Sequence, residues 1–194
     1  MKLFLQRFKV GLIYKLSKLL RPEMIGYTFW NNKAIKNTRI SNHAHISNHK
    51  NIFLGSNVFV FHNVYIDGHA KVTLKDGVAI GNCCTIATHA AHISLRLYGD
   101  EYSKHPKENM KGLISGDVYI GEYCFIGPNS VIMPGTKIGK GCIVSAFSYV
   151  SGEFPDFSII KGNPAEVVGN TKKLDEQFLK RYPELRNTYF DANH

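Results

Sequence analysis

Several kinds of chemistry are missing from this chain. Its four cysteines stand at 83, 84, 124 and 142, with no paired CxxC spacing for zinc. No Gly-x-Ser-x-Gly elbow and no clear Cys/His signature marks a covalent nucleophile. No nucleic-acid fold motif accompanies the basic side chains, and charge without a matching fold excludes nucleic acid as a partner. Acidic residues are nearly missing from one end. Residues 1–40 hold nine Lys and Arg against Glu23 alone, a net of +8, while the formal charge of the whole 194-residue chain is +9.

That basic end also lacks an uninterrupted apolar run. Leu5, Phe8, Leu12, Leu16 and Leu19 make one stripe at helical spacing over residues 2–20, and Pro22 stops it. Lys and Arg break the stripe too often for a transmembrane span, and no small-residue cleavage site follows. The expectation is an amphipathic helix that caps the open end of the fold, packs on a neighbouring subunit, or lies on an anionic membrane surface at the cytoplasmic face. The composition, 44% apolar and 20% charged, is ordinary for a globular protein.

What the chain does have is a repeat of six. Ile114, Ile120, Ile126, Ile132, Ile138, Val144 and Val150 are evenly spaced, and four residues after each of the first six comes Val118, Cys124, Ser130, Thr136, Cys142 or Ser148. A period of six fits neither one helix nor one long strand. It fits short strands separated by corners, with three strands closing one triangular coil. The aliphatic residue points inward and the compact one fits near the corner. Earlier rungs fall at Ile40, Ile46, Leu54, Val60, Ile66, Leu74, Ile80 and Ile86, giving fifteen rungs in five coils.

Three spacings depart from six, after Ile46, Ile66 and Ile86, always at the second corner of a coil. The third departure is an excursion over 89–113, and long irregular excursions are usually functional. The enlarged corners begin alike, with Ser-Asn-His49, Asp-Gly-His69 and Ala-Thr-His89. These histidines are expected to stack about 4.8 Å apart. Cys124 and Cys142 lie one coil apart and are expected to be buried, inert and free of disulfide. The pattern lapses at Gly152-Glu-Phe-Pro155, Gly162-Asn-Pro-Ala165 reads as a tight turn, and 172–186 as a short helix. The chain thus divides into a basic arm (1–39), a solenoid (40–153) and a C-terminal turn and helix (154–194).

The Ile-Gly-x-x-small-x repeats resemble the hexapeptide-repeat acyltransferases. That resemblance implies an all-β solenoid, a left-handed parallel β-helix, whose hand opposes the usual crossover preference. The run from Ile86-Ala-Thr-His89 through Leu95-Arg-Leu-Tyr-Gly-Asp-Glu-Tyr-Ser103 is similar to the galactoside and maltose O-acetyltransferase branch. The resemblance implies His89 as general base, acetyl-CoA as acyl donor and a homotrimer with its sites in the grooves between subunits. An imidazole suits the task independently, since an attacking hydroxyl must lose its proton near neutral pH. For the coenzyme the resemblance points to Phe125 and Pro128, to Ala146 and Ser151, and to Asn163 and Pro164 of the closing turn. Phe125 stands where a tryptophan is usual, and Phe147 replaces a glycine. Gly152, Glu166 and Gly169 replace the basic contacts to the 3′-phosphate, so Lys161, Lys172 or Lys173 would have to supply that charge. Acceptor contacts are expected among Phe61, Asn63, His69 and Arg96.

Two other enzyme classes compete. A γ-class carbonic anhydrase would use the three histidines on zinc, although a stacked line is not a tetrahedral cluster, and no metal ligand set is expected. N-acylation of an amino sugar would need less help from a base. A non-catalytic scaffold is the third alternative.

Overall fold

The computed structural model describes residues 21–191, so the helix expected over 2–20 lies outside the described residues. Successive short strands visit three parallel sheets in turn. The first face holds Lys33–Ser41, Phe59–Val60, Ala79–Ile80, Phe125–Ile126, Ile143–Val144 and Ser158–Gly162. The second holds His45–Ile46, Tyr65–Ile66, Thr85–Ile86, Val131–Ile132 and Tyr149–Val150. The third holds Ile52–Leu54, Val72–Leu74, Val118–Ile120, Lys137–Ile138 and Glu153–Phe154. A two-residue strand has no stability alone. Here each is bonded to the coils above and below, as where Ala79 N–H donates to Cys124 O and Phe125 N–H to Cys142 O, both at 2.9 Å.

The inward rungs stack as the six-residue period requires. Ile66, Ile80, Ile86, Ile120, Ile126, Ile132 and Ile138 are all 0% exposed. Burying each such side chain contributes roughly 1.5–3 kcal/mol. Cys84, Cys124 and Cys142 are buried at their corners, and Cys142 N–H donates to Cys124 Sγ at 3.3 Å, one coil apart. All four cysteines are free thiols.

The phase of the repeat needs correcting at both ends of its strongest run. Ile114 is not a rung: it is 41% exposed and pairs antiparallel with Ala90. The coil resumes at Ile120, which sits beside Leu74. The six-residue step from 114 to 120 is coincidental, because Ile114–Ser115 closes the neck of the excursion. Conversely, the coil outlasts residue 153. Phe154 pairs beside Ile138 and Ile160 beside Val144, and both are buried. The irregular Gly152 to Pro155 stretch conceals a strand whose rung is aromatic instead of aliphatic.

Antiparallel hairpins close both edges of the first face, which removes unpaired strand edges. At the start, Met24–Trp30 pairs with Lys33–Ser41, so the arm after residue 23 is a hairpin. Its tip carries Asn31 and Asn32 at φ 47° and 63°, the backbone that a two-residue hairpin turn demands. Trp30 Nε1 anchors the tip by donating to Ile52 O at 2.7 Å. At the other end Ser158–Gly162 pairs with Ala165–Asn170, placing the expected turn at Asn163–Pro164. Helix α2 (Thr171–Arg181) follows, with α1 (His92–Tyr98) lying in the excursion. The C-terminal segment folds back: Phe190 packs on Tyr123 at 4.6 Å between centroids, and Asp191 pairs with Lys140 and Lys172, both at 2.8 Å.

Candidate active site

The enlarged corner between the second and third faces gathers Asp67, Gly68, His69, Thr88 and His89. Thr88 is 0% exposed and Asp67 only 5%. A buried carboxylate is costly unless its oxygens are bonded, and here they are. Oδ1 accepts the His69 N–H at 3.1 Å. Oδ2 accepts the Thr88 N–H at 3.1 Å, the Thr88 hydroxyl at 2.8 Å and the His89 Nδ1 proton at 2.6 Å. The Thr88 hydroxyl in turn accepts the Ala70 N–H at 2.9 Å. Burial by itself would raise the carboxyl pKa. The Thr88 and His89 side chains and the two backbone donors outweigh it and bring the value down to about 2.

Asp67 is therefore ionised at neutral pH and acceptor-only, which puts the ring proton on His89 Nδ1. In the neutral ring the lone pair is then on Nε2, on a side chain 25% exposed. Gly68 allows this corner to close. A Cβ there would strike the carbonyl oxygens of Ser47 and Asn48, the latter at 2.6 Å.

The excursion springs directly from this pair. Its neck is the antiparallel contact of His89–Ala90 with Ile114–Ser115, reinforced by Gly116 N–H to Thr88 O at 3.0 Å. Between them run α1 and two short 3-10 turns, and Tyr98 Oη holds the loop together by accepting the Lys111 N–H at 3.0 Å.

The expected ladder holds two histidines, not three. The His69 and His89 rings lie 4.5 Å apart. His49 instead stacks on Trp30 at 6.1 Å, because the hairpin tip competes for its ring. Among the described residues no three His, Cys, Asp or Glu side chains form a metal-holding group.

The remaining expected residues fall into separate groups. Phe61, Asn63, Phe125, Pro128 and Ala146 precede the second face, whereas His69, His89 and Ser151 follow it. The chain thus holds them on opposite edges of that face. Arg96 is exposed on α1, and Lys161, Asn163 and Pro164 are exposed around the C-terminal turn. Lys172 is committed within the chain, bonded to Asp191 and lying 4.2 Å over the Phe157 ring. Asp67 and Thr88 escaped the sequence reading. The available signal was an acid one coil upstream of the imidazole, at the matching corner.

Residues 117–152 match the model described as bacterial transferase hexapeptide (six repeats), so this stretch is similar to the hexapeptide-repeat transferases. It is 31% identical over 116 residues to a chloramphenicol acetyltransferase of Escherichia coli, covering 53% of this chain and 54% of that protein. It is 30% identical over 96 residues to a galactoside O-acetyltransferase of Lactococcus lactis subsp. lactis (strain IL1403), covering 50% and 39%. The aligned region spans about half or less of each of these two relatives. A hexapeptide-repeat acetyltransferase of Vibrio cholerae O1 biovar eltor, solved with acetyl coenzyme A, superposes with TM-score 0.60 over 70% of this chain and 69% of that one, at 24% identity. That likeness shows the fold.

Proposed function

We propose that the chain is an acetyl-CoA-dependent O-acetyltransferase acting on a hydroxyl of a sugar or glycan precursor, with His89 as general base. The observation that carries this reading is the 2.6 Å contact from His89 Nδ1 to the ionised Asp67. It orients the imidazole so that Nε2 can accept a proton, and the carboxylate stabilises the cationic ring that results.

In this reading the acceptor oxygen attacks the thioester carbonyl carbon while its proton passes to Nε2. A new C–O bond forms and the carbonyl becomes a tetrahedral oxyanion, held by backbone N–H donors. Collapse breaks the C–S bond, and the proton on Nε2 goes to the departing thiolate. Proton transfer by a positioned side chain contributes roughly 10²- to 10⁴-fold.

The coil is taken as left-handed and the working unit as a homotrimer. The groove between prisms would then unite the His89 corner of one subunit with the Phe125, Pro128 and Ala146 corner of another. The separation of these groups by the second face supports that arrangement. Lys161 and Lys173 are the exposed cations left to meet the coenzyme phosphate, since Lys172 already has a partner. Among the described residues no helix is long and apolar enough to cross a membrane. The basic segment 2–20 is read as a peripheral contact at the cytoplasmic membrane face, which salt should release.

The test is acetyl transfer from labelled acetyl-CoA to galactosides, maltose, nucleotide sugars and chloramphenicol, with wild type beside His89→Ala. We expect a loss of about 10²- to 10⁴-fold with an unchanged far-UV spectrum. Retention of most of the rate would sink the general-base assignment and favour an amine acceptor instead.

A further inference from the structure

We infer that Phe147 is a coenzyme contact, its ring covering the pantetheine arm beside Ala146. The inference rests on the acetyl-CoA reading above. Phe147 has φ +61° and is 74% exposed. A bulky side chain in left-handed backbone is a genuine outlier, and such strain persists where something else requires it.

The same corner in other coils shows what would be easier. Asn63 and Asn129 occupy it at φ 57° and 59°, and a short amide tolerates this conformation well. Phe147 adopts the corner faithfully, its N–H donating to Pro128 O at 3.0 Å in the coil before. The ring therefore adds strain without adding to the coil.

Two other aromatics share this backbone, and both have partners. Tyr123 (φ 54°) and Phe157 (φ 61°) pack against Phe190 at 4.6 and 6.0 Å. Lys172 lies over Phe157 as well. Packing offsets strain there. Among the described residues Phe147 has no ring or cation partner, and it stands beside the exposed Ala146, with Phe125 and Tyr149 at 44% and 37% exposure on adjoining strands. This edge is the one the proposed coenzyme groove requires. The pantetheine arm, a flexible chain of methylenes, a gem-dimethyl group and two amides, is what a flat apolar ring can immobilise. The ring offers nothing to phosphate.

Phe147→Asn removes the ring while keeping a residue that two other coils use at this corner. Dissociation constants for CoA and for adenosine 3′,5′-bisphosphate, which lacks the arm, are measured by calorimetry alongside Tm and the light-scattering mass. We expect CoA affinity to fall about fivefold to tenfold, bisphosphate affinity to stay unchanged, Tm not to drop, and the mass to be retained. CoA affinity within twofold of wild type would overturn the inference. Equal weakening of the bisphosphate would place the ring on the nucleotide and overturn it too. Loss of affinity accompanied by a smaller mass would make Phe147 a subunit contact. Failure of the wild-type chain to bind CoA at all would defeat the functional reading itself.

Discussion

Asp67 Oδ2 and His89 Nδ1 meet at 2.6 Å across successive coils of one corner. Twenty-two residues separate them in the chain, and only the stacking of coils makes them neighbours. Four predictions test this relationship and the rod that creates it.

Asp67→Asn should keep the corner folded and lose the charge that stabilises the imidazolium. An amide can also offer its N–H to Nδ1, which would turn the proton onto Nε2 and remove the acceptor. We expect kcat to fall about 10²- to 10⁴-fold, with KM for acetyl-CoA nearly unchanged. A kcat within fivefold of wild type would show that Asp67 does not orient the base.

The same carboxylate makes stability depend on acid. Its pKa is about 2 in the folded chain against an ordinary 3.8. A depressed folded value means the stabilisation is complete above the unfolded pKa and is lost as pH falls through the folded one. It amounts to about 2 kcal/mol. The gap in unfolding free energy between wild type and Asp67→Asn should therefore be constant from pH 7 to about 5 and close toward pH 2. A gap that ignores pH would contradict the buried, ionised assignment.

Paired alanine substitutions test the phase of the repeat. Ile126 is fully buried between Ile80 and Val144, so Ile126→Ala should cost about 2–5 kcal/mol in urea unfolding. Ile114 is off the coil, and Ile114→Ala should cost less than about 1 kcal/mol. Similar costs at the two positions would restore Ile114 to the rod.

Thiol titration tests the corner ladder. Cys83 is exposed, whereas Cys84, Cys124 and Cys142 are buried, with burial raising the Cys84 pKa. Native protein should release one equivalent with an aromatic disulfide within minutes and the full four after denaturation. Two or more fast equivalents would mean that the corners are open.

Much of this was legible because a six-residue period is a direct print of the coil. Every buried rung from Ile120 to Val150 was readable, as was the one widened corner. The reading failed where the period was imitated or disguised. Ile114 mimics a rung by spacing alone, and Phe154 hides one because an aromatic fills the aliphatic position. His49 was expected on the ladder by analogy with His69 and His89, but the tip of a distant hairpin claims its ring through Trp30.

The amino-acid sequence by itself determined the rod, since an inward aliphatic residue every six positions leaves no other way to bury that many apolar side chains. It also singled out His89, at the mouth of the excursion. Tertiary structure alone decided which nitrogen of that ring is free, because the partner that fixes the tautomer belongs to the previous coil. Likewise it decided that Lys172 faces Asp191 and that Phe147, 74% exposed, has no ring or cation partner among the described residues. Contacts between coils depend on how the turns stack in space, and no local pattern of residues records them.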